Sequence, residues 1–132
     1  MVFDTNLLIQ HIRQGLTLPA LTVISVIVAG ELEAFALKSD WGYQKISVMH
    51  AMLERFGVID VTKRLLPAYA RIDAYSQGKL DLSPLPPGVS ARNMGKNDIW
   101  IAATALYFDV ELHTADKDFD HLVALGVRVV RG

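Results

Sequence analysis

The sequence contains no cysteine, which excludes disulfide bonds, thiolate zinc sites and cysteine nucleophiles. It also has no basic excess, because 13 lysines and arginines stand against 14 aspartates and glutamates, giving a formal net charge of -1. This charge balance argues against a protein that coats nucleic acid. It does not argue against an enzyme that contacts few phosphates and binds its own metal ions, because such an enzyme needs little basic surface.

The longest apolar run, residues 23–30, is too short to cross a bilayer, and no basic segment with a long apolar stretch opens the chain. We expect a cytoplasmic protein without a signal peptide or membrane anchor.

Apolar segments rich in β-branched residues alternate with segments of helical periodicity. Of the 132 residues, 52% are hydrophobic, which is typical of one folded domain. Residues 80–95 contain three prolines and two glycines and are predicted to form a loop. The alternation predicts a single α/β domain over residues 1–132, with a parallel five-stranded sheet covered by helices on both faces. Strands are predicted at residues 1–3, 21–26, 58–61, 111–114 and 127–130, and helices from about residue 7 and at 26–38, 41–56, 63–78, 99–108 and 119–125.

Four acids stand where a parallel sheet binds ligands, at or near the carboxyl ends of its strands. Asp4 follows the first predicted strand, Asp116 follows the fourth, and the long loop can bring Asp98 to the same edge. Glu31 lies on an apolar stripe of the helix at residues 26–38, and a buried carboxylate requires a partner or a metal ion. Because there is no cysteine and no histidine pair at ligand spacing, these oxygen ligands favour Mg²⁺ or Mn²⁺ over zinc.

Each acid also has a structural interpretation. Asp4 and Asp98 precede helical segments and are therefore also typical N-caps. Asp116 is also compatible with a solvated acidic turn. Glu31 is also compatible with the rim of the core, since Glu33 shows that the same helix accepts acids. Spacing alone leaves these alternatives open for each acid taken singly.

Four runs that contain these acids follow one another along the chain: residues 4–6 (DTN), 25–32 (SVIVAGEL), 97–103 (NDIWIAA) and 114–119 (TADKDF). In order, they resemble the acidic motifs of PIN-domain nucleases and, more closely, of VapC-type toxins. The resemblance covers nearly the whole chain. It implies a three-layer α/β/α domain with a central parallel sheet in the order 3-2-1-4-5. It also implies a metal-dependent endoribonuclease that uses Mg²⁺, with Mn²⁺ as an alternative.

The same resemblance assigns roles to residues. Water rather than the ribose 2′-hydroxyl attacks the RNA, and a small antitoxin and a second copy of the chain are the expected protein partners. A catalytically silent PIN-like domain that binds RNA or protein is the alternative. The implied catalytic residues are Asp4, Glu31, Asp98 and Asp116, of which Asp4, Asp98 and Asp116 hold the metal. Asn6, Thr114 and Asp118 support them, and Arg92, Lys96 and Lys117 are candidate phosphate contacts.

Overall fold

Five short strands follow one another along the chain with one or more helices between each successive pair in the computed structural model, which describes residues 1–132. The predicted alternation is confirmed, and residues 80–95 form neither helix nor strand. The strands are β1 (Val2–Phe3), β2 (Ile24–Ser25), β3 (Val58–Ile59), β4 (Leu112–Thr114) and β5 (Val129–Arg131). The α-helices are α1 (Thr5–Gln14), α2 (Val26–Lys38), α3 (Tyr43–Phe56), α4 (Leu66–Ser76) and α5 (Lys96–Phe108). The 3₁₀ helices are Lys63–Leu65 and Lys117–Leu125, the second of which is called the C-terminal 3₁₀ helix.

The strands form two parallel sheets. In the first sheet β4 lies between β1 and β5, and in the second β2 pairs with β3. An isolated parallel bridge between Val2 and Val23 connects the sheets, and the Val23 amide donates a hydrogen bond to the Met1 carbonyl at 2.8 Å. Val23 precedes β2, and this single bridge does not extend into a ladder. The single five-stranded sheet in the order 3-2-1-4-5 is therefore not confirmed.

Three of the strands lead directly into helices that begin at a capping side chain. Asp4, Ser25 and Asp116 each accept a hydrogen bond from a backbone amide in the first turn of α1, α2 and the C-terminal 3₁₀ helix, respectively. Such caps satisfy amides that the first helical turn leaves unpaired. The three helices therefore begin at the carboxyl ends of β1, β2 and β4, which is the edge where ligands bind in parallel sheets.

Helix α5 lies at the centre of the hydrophobic core. Its Ala102 and Ala103 are fully buried, and their small side chains let the helix pack closely against α4 and β1. On the other side of the molecule α1 packs against α2 and α3. No helix combines the length and the apolar character needed to cross a membrane.

Candidate active site

A single cleft of about 590 Å³ collects the four acids predicted from the sequence. Asp4 enters it from the start of α1, and Glu31 enters it from α2. Asp98 comes from α5, and Asp116 comes from the start of the C-terminal 3₁₀ helix. Carboxylates from four separate elements therefore meet at the edge of the first sheet.

Asp4 is the most buried acid of the cleft, with a relative exposure of 5%. One carboxylate oxygen accepts a hydrogen bond from the Leu7 amide at 3.0 Å, and the other accepts one from the Thr114 hydroxyl. Burial raises the pKa of Asp4, while the two hydrogen bonds oppose that increase by stabilising the charged form. The side chain thus caps α1 and contributes to the acidic cluster at the same time.

Asp98 lies in the first turn of α5 and does not cap the helix, because Gly95 occupies the N-cap position. Burial, and after it the surrounding carboxylates with Asp116 first among them, together raise the pKa of Asp98 to about 6. A Cβ atom at Gly95 would lie 3.7 Å from an Asp98 carboxylate oxygen, so the loop backbone passes close to this side chain. Asp98 is the only acid of the four that accepts no hydrogen bond from the protein.

Glu31 and Glu33 lie on the same helix but have different hydrogen-bond partners. Glu31 accepts hydrogen bonds from the Thr5 hydroxyl at 2.5 Å and from the Asn97 side-chain amide at 3.2 Å. Glu33 is exposed and pairs with His50 at 2.7 Å on another face of α2. Glu31 is therefore the acid of this helix that faces the cleft.

Asp116 and Asp118 occupy the first turn that follows β4. The Asp116 carboxylate accepts a hydrogen bond from the Asp118 amide at 2.9 Å. The Asp116 amide donates to the Thr114 hydroxyl at 2.9 Å, so the strand end and the cap are fixed together. Asp118 is exposed and lines a second cleft, of about 380 Å³, on which Asp98 also borders.

The other site residues predicted from the sequence do not all line the main cleft. Asn6 is exposed and lines the main cleft, and Arg92 is half-buried in the second cleft. Lys96 and Lys117 are exposed and line neither cleft. Their contact with phosphate remains a prediction.

The sequence prediction missed two residues that hold Glu31, namely Thr5 and Asn97. Each is adjacent in sequence to a predicted acid, Asp4 or Asp98, and adjacency to an acid was the available signal. A position next to an acid in the sequence does not show which acid a side chain contacts. Thr5 and Asn97 both form hydrogen bonds with Glu31 on another helix.

The donor set of the cleft fits a hard divalent cation. All four acids offer carboxylate oxygens, which are the ligands that Mg²⁺ and Mn²⁺ prefer. As the side chains lie, no three acidic or histidine side chains are spaced to hold one ion together. The donor chemistry of the cleft therefore suits the ion, although the carboxylates are not arranged around one common point.

Solved structures with the same fold cover almost the whole chain. VapBC2 from Rickettsia felis, bound to a DNA fragment from its promoter, matches with a TM-score of 0.70 and 22% identity, over 98% of both chains. VapBC-5 from Mycobacterium tuberculosis matches with a TM-score of 0.66 and 24% identity, over 99% of this chain and 97% of that one. A toxin-antitoxin complex from Klebsiella pneumoniae matches with a TM-score of 0.64 and 25% identity, over 98% of this chain and 95% of that one.

Sequence comparison assigns the family. No curated protein sequence matches the chain. The family model described as PIN domain matches residues 1–125, which include all four acids of the cleft. The resemblance noted in the sequence is therefore confirmed at the level of the family: the chain belongs to the PIN domain family.

Proposed function

We propose that this chain is a Mg²⁺-dependent endoribonuclease, a single nuclease domain that acts in the cytoplasm as the toxin of a VapBC-type toxin-antitoxin pair. The observation that carries the proposal is the environment of Asp98. This half-buried carboxylate has no hydrogen-bond donor from the protein and faces three other carboxylates in one cleft. Like charges so placed are unfavourable unless a proton or a cation balances them, and above the raised pKa of Asp98 of about 6 the proton is lost. A divalent ion is the cation that suits oxygen ligands.

Asp4, Asp98 and Asp116 are the residues that would hold Mg²⁺ or Mn²⁺. When bound, the ion supplies positive charge that favours deprotonation of water and offsets the negative charge of the phosphate. Glu31, which Thr5 and Asn97 hold by hydrogen bonds, would accept a hydrogen bond from the attacking water. Water attacks the phosphorus and the bond to the 3′-oxygen breaks, so the products carry a 5′-phosphate and a 3′-hydroxyl.

The proposed enzymatic activity is tested with purified protein and an end-labelled tRNA pool. We expect cleavage in Mg²⁺, no cleavage in EDTA, and no cleavage by Asp98→Asn. Asp81→Asn is the matched control, because Asp81 is an exposed loop acid that lines neither cleft. Cleavage that persists in EDTA or in Asp98→Asn would overturn the mechanism. RNA binding without cleavage, together with no Mg²⁺ binding by calorimetry, would instead identify a silent RNA-binding module.

The proposed partners rest on the similar structures, which are toxin-antitoxin complexes. We propose a small antitoxin for this chain on that ground, and a homodimer because the sequence resemblance implies one. Expression of the chain in bacteria should arrest growth in a manner that depends on Asp98. Co-expression of a short neighbouring reading frame should restore growth, and its product should co-purify with the chain. Growth arrest that is equally strong with Asp98→Asn would contradict the toxin role.

A further inference from the structure

The main cleft extends beyond the acids along one face of α2. Val26, Gly30, Ala34 and Lys38 recur there at intervals of four residues, so they lie in one row, and all four line the cleft. A Cβ atom at Gly30 would meet nothing within 4 Å, so packing does not require glycine at this position. The small residues at the centre of the row leave an open floor between Glu31 and the end of the helix.

Phe35 stands at the far end of this floor. It is half-buried, and its ring packs edge-on against Trp41 at a centroid distance of 5.7 Å. The Arg13 guanidinium carbon lies 5.2 Å from the centroid of the same ring. Phe35 also lines an adjoining depression of about 420 Å³, which Arg13 and Gln10 share. An aromatic ring and a guanidinium group therefore form one stacking surface, here called the Arg13–Phe35 platform.

The charge at this end of the cleft is opposite to that of the acidic end. Arg13 and Lys38 are exposed, and neither forms a salt bridge with a carboxylate. Along α2, Phe35 is one turn from Glu31, a rise of about 6 Å, and Lys38 is about 10 Å from Glu31. A polyanion anchored at the acids through metal ions would meet uncompensated positive charge within one or two nucleotides.

We infer that the Arg13–Phe35 platform and Lys38 form a nucleotide subsite of the proposed ribonuclease. The base of a single-stranded nucleotide next to the cleaved phosphate stacks on the platform, and Lys38 binds the adjoining phosphate. Aromatic rings and guanidinium planes are the groups on which proteins stack unpaired RNA bases. Because Arg13 and Lys38 carry positive charge that no salt bridge neutralises, a polyanion is favoured over an apolar protein segment as the occupant of this surface. The inference rests on the proposed function, because it assumes that RNA enters the cleft.

The chain contains a matched control for this subsite. The Arg55 guanidinium carbon lies 5.2 Å from the Phe56 ring centroid, the same distance as in the platform. This second pair lines a groove between α1 and α3 that contains none of the acids. Arg55→Gln therefore removes an equivalent cation and an equivalent ring contact away from the cleft.

The test measures binding of fluorescein-labelled single-stranded oligoadenylate and oligouridylate by anisotropy, with every variant in the Asp98→Asn background to prevent cleavage. We expect Arg13→Gln and Phe35→Leu each to weaken binding about tenfold, whereas Phe35→Tyr and Arg55→Gln retain it. The slope of log affinity against log salt should fall by about 0.7 for Arg13→Gln and for Lys38→Gln, and should not change for Arg55→Gln. Thermal melting identifies any variant that has lost its fold, and Arg13→Gln tests the platform if Phe35→Leu unfolds.

The possible results distinguish a wrong subsite from a wrong proposed function. If the Asp98→Asn protein binds RNA and the Arg13, Phe35 and Lys38 variants behave like Arg55→Gln, the subsite is wrong and the proposed function stands. If those variants lose an antitoxin but keep RNA, the face belongs to the protein partner and the inference is overturned. If the wild-type chain neither cleaves nor binds any RNA, the proposed function and the subsite are both wrong.

Discussion

The hydroxyl of Thr114 donates a hydrogen bond to the carboxylate of Asp4, although 110 positions separate the two residues in the sequence. The same hydroxyl accepts a hydrogen bond from the Asp116 amide at 2.9 Å. Thr114 is fully buried, with 0% relative exposure, so bulk water cannot replace either contact. One side chain therefore fixes the ends of β1 and β4 and holds two of the predicted metal ligands in place.

Thr114→Val should lower both stability and activity, because it removes the shared hydroxyl and leaves one Asp4 carboxylate oxygen and the Asp116 amide without a partner. We expect the free energy of unfolding to fall by about 1–3 kcal/mol in urea denaturation, the usual cost of an unsatisfied buried group. Thr114→Ser keeps the hydroxyl and should retain most of the cleavage rate. Equal stability of the valine variant and the wild-type protein would show that the hydroxyl does not hold the site together.

The stability of the metal-free protein should depend on pH through Asp98. Its pKa is raised to about 6 in the folded state, so the folded protein binds this proton more tightly than the unfolded chain does. The contribution of Asp98 to stability is therefore largest below about pH 4 and decreases as the pH rises toward 6.

In EDTA, the melting temperature of Asp98→Asn should exceed that of the wild-type protein at pH 7, and the two should converge as the pH falls to 4.5. Mg²⁺ should raise the melting temperature of the wild-type protein selectively at pH 7. Parallel melting curves of the two proteins across this pH range would contradict the prediction.

Glu31 and Glu33 provide a paired test on one helix. Glu31→Gln should lower the cleavage rate about a hundredfold, the scale of a lost proton-accepting group. Glu33→Gln should leave the rate unchanged, since Glu33 forms only an exposed pair with His50 and such pairs contribute little. The rates are measured under single-turnover conditions in saturating Mg²⁺. An equal loss in both variants would show that the effect comes from the charge of α2 as a whole.

Two substitutions of Gly30 test the stability of α2 and the access of RNA to the cleft independently. Gly30→Ala should increase the free energy of unfolding by about 0.5–1 kcal/mol, because the added methyl group meets nothing and alanine favours the helix. Gly30→Leu should fold but cleave RNA more slowly, since its side chain projects over the cleft floor. Urea denaturation and cleavage assays measure the two effects. Wild-type cleavage by a folded Gly30→Leu protein would place the RNA elsewhere.

The sequence by itself determined the alternation of strands and helices, the loop at residues 80–95 and the cap at Asp4. These features depend on neighbours within one helical turn or on the periodicity of one segment, and such information is local. It also identified the acids that the structure brings into one cleft, because residues that follow parallel strands share an edge of the sheet.

Only the tertiary structure decided which acid of α2 faces the cleft, and only it placed Asp98 inside the first turn of α5 without a hydrogen-bond donor. It likewise divided the strands into two sheets and brought Arg13 over Phe35. Helix α2 is apolar on most of its surface, so its periodicity does not distinguish the faces of Glu31 and Glu33. The choice is made by Thr5 and Asn97, which lie 26 and 66 positions from Glu31 and meet it only when three helices pack together. Contacts of this kind depend on how the elements are arranged in space, which spacing along the chain does not encode.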